Sequence, residues 1–274
     1  MTREGNIKYI SEQLPETYKK LAAMQPKAYD GAWSLWKEGI ENGIMVPQFH
    51  GREHFNLQSF ETKLKSNNSE LLISLANRSL TSISSSEIPN VGWTAAFSFN
   101  KREEIASFPD ILRTGTDAFE NVFGFRSKTF TPPAQQFPEQ LEKSLRSYGI
   151  TTLDKPFYRQ RHLGNGNYKR EFNFLSVVNQ AGLSTIVRNV VFEPTNGRID
   201  HVSKALAQIE AAFKFGKPAN ISSHRVNYCG LIEESNRNVG LEALKKLLYK
   251  IVDKWPEVEF LSSADLSAIL QEKQ

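Results

Sequence analysis

Two of the five histidines in the 274-residue chain lie four residues apart, in the stretch PQFHGREHFN at residues 47–56. His50 follows the apolar segment IMVPQF, and a carboxylate, Glu53, stands between it and His54. If the chain enters a helical turn at Gly51, the two imidazoles share one face and can bind a single metal ion. The alternative is a pair of hydrogen-bonded histidines on a polar loop.

The same five residues also fit H-x-x-E-H, an inverted zinc-protease motif in which Glu53 is the general base. That motif requires one continuous helix to carry both histidines. Here Pro47 and an apolar segment lead directly into His50, and Gly51 follows it. This context favours a strand followed by a turn, so the protease is the less favoured interpretation.

A third histidine has a similar setting, because His224 follows the short predicted strand that ends at Ser222. Imidazole titrates near neutral pH, so a histidine at the end of a strand can donate a proton in catalysis. A packed structural histidine explains this residue equally well when it is taken alone. His162, in a basic loop, and His201, at a helix start, are predicted to be solvated.

The elements that position these histidines are predicted to be alternating helices and strands. Predicted helices cover residues 17–40, 57–64, 108–123, 137–148, 202–215 and 240–255, and predicted strands cover 44–49, 92–99, 128–131, 150–153, 185–192, 219–222 and 258–261. This order is typical of a parallel α/β fold, in which the carboxyl ends of the strands carry the active site. A serine-rich segment at 81–87 is predicted as a surface loop. No linker divides the chain, which predicts one domain over residues 1–274.

The basic aromatic segment FYRQRHLGNGNYKREFNF, at residues 157–174, allows three interpretations. Its asparagine–glycine core predicts a turn between two strands, and a solvated hairpin is the favoured interpretation. Arginines among aromatic residues can also bind single-stranded nucleic acid. The third interpretation is contact with an acidic glycan through Arg159 and Arg161.

Composition excludes several classes of protein. The chain is 39% hydrophobic and 23% charged, with a net charge of +4, which is ordinary for a globular protein and does not indicate a nucleic-acid partner. The single cysteine, Cys229, excludes an intrachain disulfide and a multi-cysteine zinc site. Neither a membrane span nor a secretion signal is predicted, and we expect a cytoplasmic protein.

Three short segments, in this order along the chain, resemble motifs of the polysaccharide deacetylases, the NodB-homology group. HGREH resembles their H-[ST]-x-x-H zinc motif, with Gly51 where serine or threonine is usual. FTPPA resembles R-x-P-Y, with Thr131 in place of arginine and Ala134 in place of tyrosine, and ISSH resembles L-x-x-H. The sequence from about Trp33 to the end is similar to a bacterial branch of this family that is associated with surface-glycan synthesis.

The resemblance implies a distorted (β/α)7-type barrel that hydrolyses an N- or O-acetyl group on a polysaccharide or glycan precursor. It implies that His50 and His54 bind zinc or another divalent metal, and that His224 protonates the leaving amine. The residues implied to contact the carbohydrate are Thr131, Pro133, Arg225 and Asn227.

One departure from the family concerns its first motif, T-F-D-D, which supplies an aspartate base and an aspartate metal ligand. No such pair precedes His50, and Asp30, in KAYDGAW, follows no predicted strand. The resemblance therefore indicates that the first strand or two of the barrel are missing, either by truncation or in a degenerate relative. We expect weakened metal binding and feeble or no deacetylation, and open sheet edges would favour a homo-oligomer. The alternative function is a non-catalytic glycan-binding or scaffold protein.

Overall fold

The computed structural model describes residues 14–77, 83, 91–165, 167–231 and 233–272, and its mixed α/β fold confirms the coarse prediction. The helices are α1 (Leu14–Met24), α2 (Pro26–Tyr29), α3 (Ala32–Glu41), α4 (Leu57–Lys65), α5 (Ser69–Ala76), α6 (Phe108–Phe123), α7 (Glu142–Ser147), α8 (His201–Lys214), α9 (Glu234–Lys254) and α10 (Ser263–Glu272). The strands are β1 (Thr129–Phe130), β2 (Thr152–Pro156), β3 (Tyr158–Gly164), β4 (Asn167–Phe172), β5 (Ser184–Arg188), β6 (Val190–Val191) and β7 (Ile221–Ser222). None of the helices within these ranges is long and apolar enough to cross a membrane.

The strands that precede the predicted site residues pair in parallel. One sheet has the order β1–β2–β5, and β6 pairs with β7 in another. Phe49 extends the first sheet through a parallel bridge to Phe130 and a hydrogen bond from the Thr131 amide to its carbonyl oxygen. Parallel strands end on the same side of a sheet, so the residues after them meet at one edge. The strands of the described residues do not close into a barrel, and the barrel stays a prediction.

Two buried apolar clusters hold the sheets in place. In the first, Phe130 of β1 packs with Leu112 of α6 and Leu145 of α7, and all three side chains are fully buried. In the second, Phe192 lies after β6 and packs with Leu247 of α9. Each such side chain contributes about 1.5–3 kcal/mol by leaving water, so the strand ends are firmly positioned.

The prediction of a strand over residues 92–99 is wrong. This segment forms turns, with hydrogen bonds from Ala95 N to the Gly92 carbonyl and from Ser98 N to the Ala95 carbonyl. The buried Asn56 side chain donates to the carbonyl oxygens of both Ala95 and Ser98, at 3.0 and 2.8 Å. Its amide therefore satisfies backbone groups that a strand would have paired with a neighbour.

Other boundaries differ from the prediction where local residues interrupt the pattern. The helix predicted over 17–40 is three helices, because Pro26 begins α2 and Gly31 has φ 71° just before α3. The strand predicted over 185–192 is divided at Asn189, whose side chain accepts from the Asn220 amide at 2.7 Å. The strand predicted at 258–261 is not formed, and of the strand predicted over 44–49 only Phe49 pairs, through its bridge to Phe130. The serine-rich segment at 81–87 lies outside the described residues apart from Ile83.

Strands β3 and β4 form an antiparallel hairpin, which confirms the prediction of two strands joined by a turn. Lys169 and Arg170 of β4 are exposed, as predicted, but Arg159 and Arg161 of β3 are not. Arg159 is only 6% exposed, and its Nη2 donates to both carboxylate oxygens of Glu171, at 3.0 and 3.1 Å. Arg161 pairs with Glu139 and Glu171. Because carboxylates neutralise the guanidinium groups of Arg159 and Arg161, these two residues do not support the acidic-glycan interpretation.

The prediction that His162 and His201 are solvated is also wrong. His162 is 4% exposed and lies between the rings of Phe99 and Tyr168, with centroids 5.4 and 5.0 Å away. Neither of its ring nitrogens has a hydrogen-bond partner in the described part of the chain. His201 is buried at the start of α8, where its Nε2 donates to the Asn196 carbonyl oxygen at 2.7 Å.

We expect His162→Phe to raise the free energy of unfolding by about 1–2 kcal/mol at neutral pH, because it removes two buried unpaired polar atoms. Burial lowers the pKa of His162, so the unfolded chain takes up a proton below about pH 6.5 that the folded chain resists. Wild type should therefore lose more stability than the variant as the pH falls. Urea unfolding of both proteins at pH 7.5 and 5.0 measures the difference, and an equal difference at both values would contradict the pH effect.

Candidate functional site

A cleft of about 780 Å³ lies at the carboxyl ends of the parallel strands. It brings together five of the seven residues predicted for the site: His50, His54, Thr131, His224 and Arg225. The first two follow Phe49, Thr131 follows β1, and the last two follow β7. The parallel pairing thus places residues about 170 positions apart in the sequence around one cavity.

The two other predicted contacts, Pro133 and Asn227, do not line this cleft. Pro133 is buried, and its ring lies against Gly51. Asn227 is fully buried beneath the loop that carries His224. Their positions do not support the prediction that they contact the carbohydrate, which stays a prediction.

The segment that joins His50 to His54 is a bend, so the predicted helical turn is not formed. Gly51 has φ 102°, a conformation that excludes a helix and favours glycine. Glu53 accepts two hydrogen bonds from Arg52, at 2.6 and 2.9 Å. The protease interpretation needs one helix that carries both histidines, and the structure contradicts this requirement.

The ring of His50 is held in a defined orientation. Its Nδ1 donates to the carbonyl oxygen of Thr131 at 2.7 Å, because a carbonyl can only accept. This leaves the Nε2 lone pair available as a ligand, the arrangement in which metal-binding histidines are usually found. The surrounding cleft walls lower the pKa of His50 by desolvation, which favours the neutral ring that a metal requires.

The pair fits the nitrogen part of a metal site. The ring centroids of His50 and His54 are 5.1 Å apart with an interplanar angle of 66°. Two imidazoles on one tetrahedral zinc have centroids about 5 Å apart. No third His, Cys, Asp or Glu joins them in a group that could hold a metal ion, as far as the chain is described. A catalytic zinc site uses three protein ligands, so these two histidines alone would not complete one.

His224 is held by a carboxylate that the sequence analysis did not identify. Its Nδ1 lies 2.7 Å from Oε1 of Glu193, which follows β6. The Asn227 side chain donates to Oε2 of the same carboxylate at 2.7 Å. Burial alone would raise the pKa of Glu193, but the hydrogen bonds from Asn227 and His224 together lower it. Its position directly after the apolar run VVF is the signal that could have identified it.

Asn227 supports the His224 loop rather than a ligand. Its side-chain amide donates to the His224 carbonyl oxygen at 2.8 Å, and its own oxygen accepts from Thr195 Oγ1 at 2.7 Å. Helix α9 packs so closely against this loop that Gly240 has no room for a Cβ atom beside the Asn227 carbonyl. The loop is therefore fixed on two sides.

A second charged pair that was not predicted also lines the cleft: Asp154, in the middle of β2, and Arg188, the last residue of β5. Asp154 Oδ2 accepts from Thr131 Oγ1 at 2.9 Å and from Arg188 Nε at 2.8 Å. Both are charged residues of parallel strands, and Arg188 stands at the carboxyl end of β5. That position is where ligand-binding residues are expected, and it is the signal that could have identified Arg188.

Comparison with known proteins gives a weak similarity among solved structures. No family model matches the chain, and no curated protein matches it. Among solved structures, the chain is similar to one described as a "putative polysaccharide deacetylase" from Mycobacterium smegmatis, with 14% sequence identity and a TM-score of 0.37. The alignment covers 61% of this chain and 56% of that one, so the chain spans just over half of its length. A similarity of this size carries no argument about family or activity.

Proposed function

We propose that this protein removes an N- or O-acetyl group from a carbohydrate with the help of a divalent metal ion, as a distorted-barrel relative of the polysaccharide deacetylases. One observation carries the proposal: His50, His54 and His224 come from two distant parts of the sequence and line the same cleft. A pair of imidazoles and a separately held third one match the two roles that such hydrolysis needs, a metal site and a proton donor.

In this proposal His50 and His54 hold the metal ion, and Thr131 orients His50 through its carbonyl oxygen. A bound zinc ion supplies a Lewis acid that polarises the acetyl carbonyl and lowers the pKa of a bound water. The missing third protein ligand, within the described residues, weakens that binding. We therefore expect a slow reaction at low zinc concentration.

His224 delivers the proton that the leaving nitrogen or oxygen needs. Because its Nδ1 is hydrogen-bonded to Glu193, the proton is delivered from Nε2. A carboxylate at Nδ1 fixes the tautomer and the ring orientation and stabilises the protonated ring. Arg225, which follows His224 and is exposed in the cleft, is the candidate for contact with the sugar.

The second candidate function is a glycan-binding protein that does not catalyse. It is favoured by the absence, within the described ranges, of a third metal ligand beside the two histidines. The two candidates differ in whether zinc is bound stoichiometrically and in whether acetate is released.

Acetate release from acetylated oligosaccharides, measured with excess zinc and with EDTA, tests the proposal. We expect slow zinc-dependent release by wild type and a loss of at least about 100-fold in His224→Gln, which removes general acid catalysis and keeps both zinc ligands. Thr94→Ala changes another residue of the cleft and serves as the matched control. Sugar binding without zinc or acetate release would support the second candidate instead.

A further inference from the structure

Two hydrogen-bond acceptors in the cleft have no donors. Asp154 Oδ1 and Gln135 Oε1 are both buried and without a hydrogen-bond partner in the part of the chain that the structure describes. Both residues line the cleft that contains the three histidines. Buried polar groups almost always form hydrogen bonds, because a buried group without a hydrogen-bond partner lowers the stability of the fold. Two such acceptors beside one cavity therefore need an explanation.

The Asp154 carboxylate is fixed so that only one of its oxygens remains available. Oδ2 accepts hydrogen bonds from Thr131 Oγ1 and from Arg188 Nε, and Arg188 Nη2 lies 2.8 Å from it. An ionised carboxylate can only accept, so Oδ1 can be satisfied only by a donor. The side chain lines the cleft, so a ligand bound there is a candidate source of that donor.

Gln135 lies in a strained turn that other parts of the fold hold in place. Ala134 and Gln135 have φ 49° and 59°, a left-handed conformation that is unfavourable for residues other than glycine. The hairpin fixes this turn, because Arg159 Nη1 donates to the Gln135 carbonyl at 3.1 Å and Gln136 Nε2 donates to the Gln160 carbonyl at 2.9 Å. Backbone strain that is maintained in this way is typical of functional sites.

We propose that Asp154 and Gln135 form a hydroxyl-binding subsite, and that its ligand is a neutral polyhydroxylated ring such as a sugar. A hydroxyl group can donate to either acceptor and can accept from the neighbouring Arg188. The carboxylate disfavours an anionic ligand, and Arg188 disfavours a cationic one. The subsite deepens the proposed function, on which the choice of a carbohydrate rests, but it requires neither a metal ion nor hydrolysis.

Binding of chitotetraose to EDTA-treated protein, measured by calorimetry, tests the subsite. The variants are Asp154→Asn, which places an amide where an acceptor stood, and Gln135→Met, which keeps the side-chain length and removes the acceptor. We expect each to weaken binding by about tenfold or more, as for one lost hydrogen bond in a buried site. Thr94→Ala, in the same cleft, should bind like wild type. Chitotetraose with methylated hydroxyl groups should not bind wild type, since it has lost its hydroxyl donors.

Sugar binding and acetate release are measured separately, so the subsite and the proposed catalytic function can fail independently. Dependence on Asp154 and Gln135 without any acetate release would support the subsite and remove the catalytic proposal. The subsite would be overturned if wild type binds chitotetraose and neither variant binds it more weakly. It would also be overturned if wild type does not bind chitotetraose. Urea unfolding checks that each variant is folded, and Gln135→Met should be at least as stable as wild type because it removes an unpaired buried acceptor.

Discussion

In the His50→Ala variant, zinc affinity falls by at least about 100-fold relative to wild type, because one of only two protein ligands is lost. Titration of the metal-free proteins with zinc against a competing chelator measures the two dissociation constants. His54→Ala should show a loss of similar size, since its ring lies 5.1 Å from that of His50.

The matched control for zinc binding is His224→Ala. His224 lines the same cleft, but its Nδ1 is hydrogen-bonded to Glu193 and it has a different proposed role. Its replacement should leave zinc affinity unchanged. Equal affinities in wild type and His50→Ala would contradict the metal assignment and leave the glycan-binding candidate.

Replacing Gly240 by alanine has the second large expected effect, a loss of about 2–4 kcal/mol in the free energy of unfolding. A Cβ atom at this position would overlap the carbonyl oxygen of Asn227, which is backbone and cannot rotate away. Either α9 or the loop that carries His224 must move. Helix propensity alone predicts the opposite sign, because alanine in a helix interior is about 1 kcal/mol more favourable than glycine.

Urea unfolding of Gly240→Ala and of Asn238→Ala, an exposed position on the same helix, distinguishes the two effects. We expect the Asn238 variant to be as stable as wild type or slightly more stable. The Gly240 variant should also lose the proton-donor contribution of His224, because Asn227 holds both the loop and Glu193. A stabilised Gly240→Ala protein would show that α9 does not press on this loop.

The sequence was sufficient to predict which histidines gather, because that depends on a regular feature of parallel sheets. The segment ending at Ser222 forms β7, and Phe49, the last residue of the strand predicted over 44–49, pairs with Phe130 through a bridge. Residues that follow parallel strands share one edge. The positions of His50 and His224 follow from this rule without any knowledge of their side-chain contacts. In the structure, the parallel pairing comes from β6 with β7 and from the bridge between Phe49 and Phe130 of β1.

What the sequence could not predict depends on contacts between distant residues. The alternating pattern at 92–99 resembles a strand, but the Asn56 amide, some 40 residues earlier, pairs with its carbonyls and stabilises turns. Glu193 is 31 residues from His224, so no local spacing reveals their contact. The bend after His50 arises from the positive φ of Gly51, which neither residue type nor spacing determines uniquely. The burial of Pro133 and Asn227 beside the cleft depends on such contacts as well.

X-ray absorption at the zinc edge of the zinc-loaded protein examines the proposed metal site most directly. We expect two imidazole nitrogens at about 2.0–2.1 Å from a stoichiometric ion in wild type, and one in His50→Ala. A zinc spectrum without histidine, or a protein that takes up no stoichiometric zinc, would contradict the metal-dependent function proposed for this cleft.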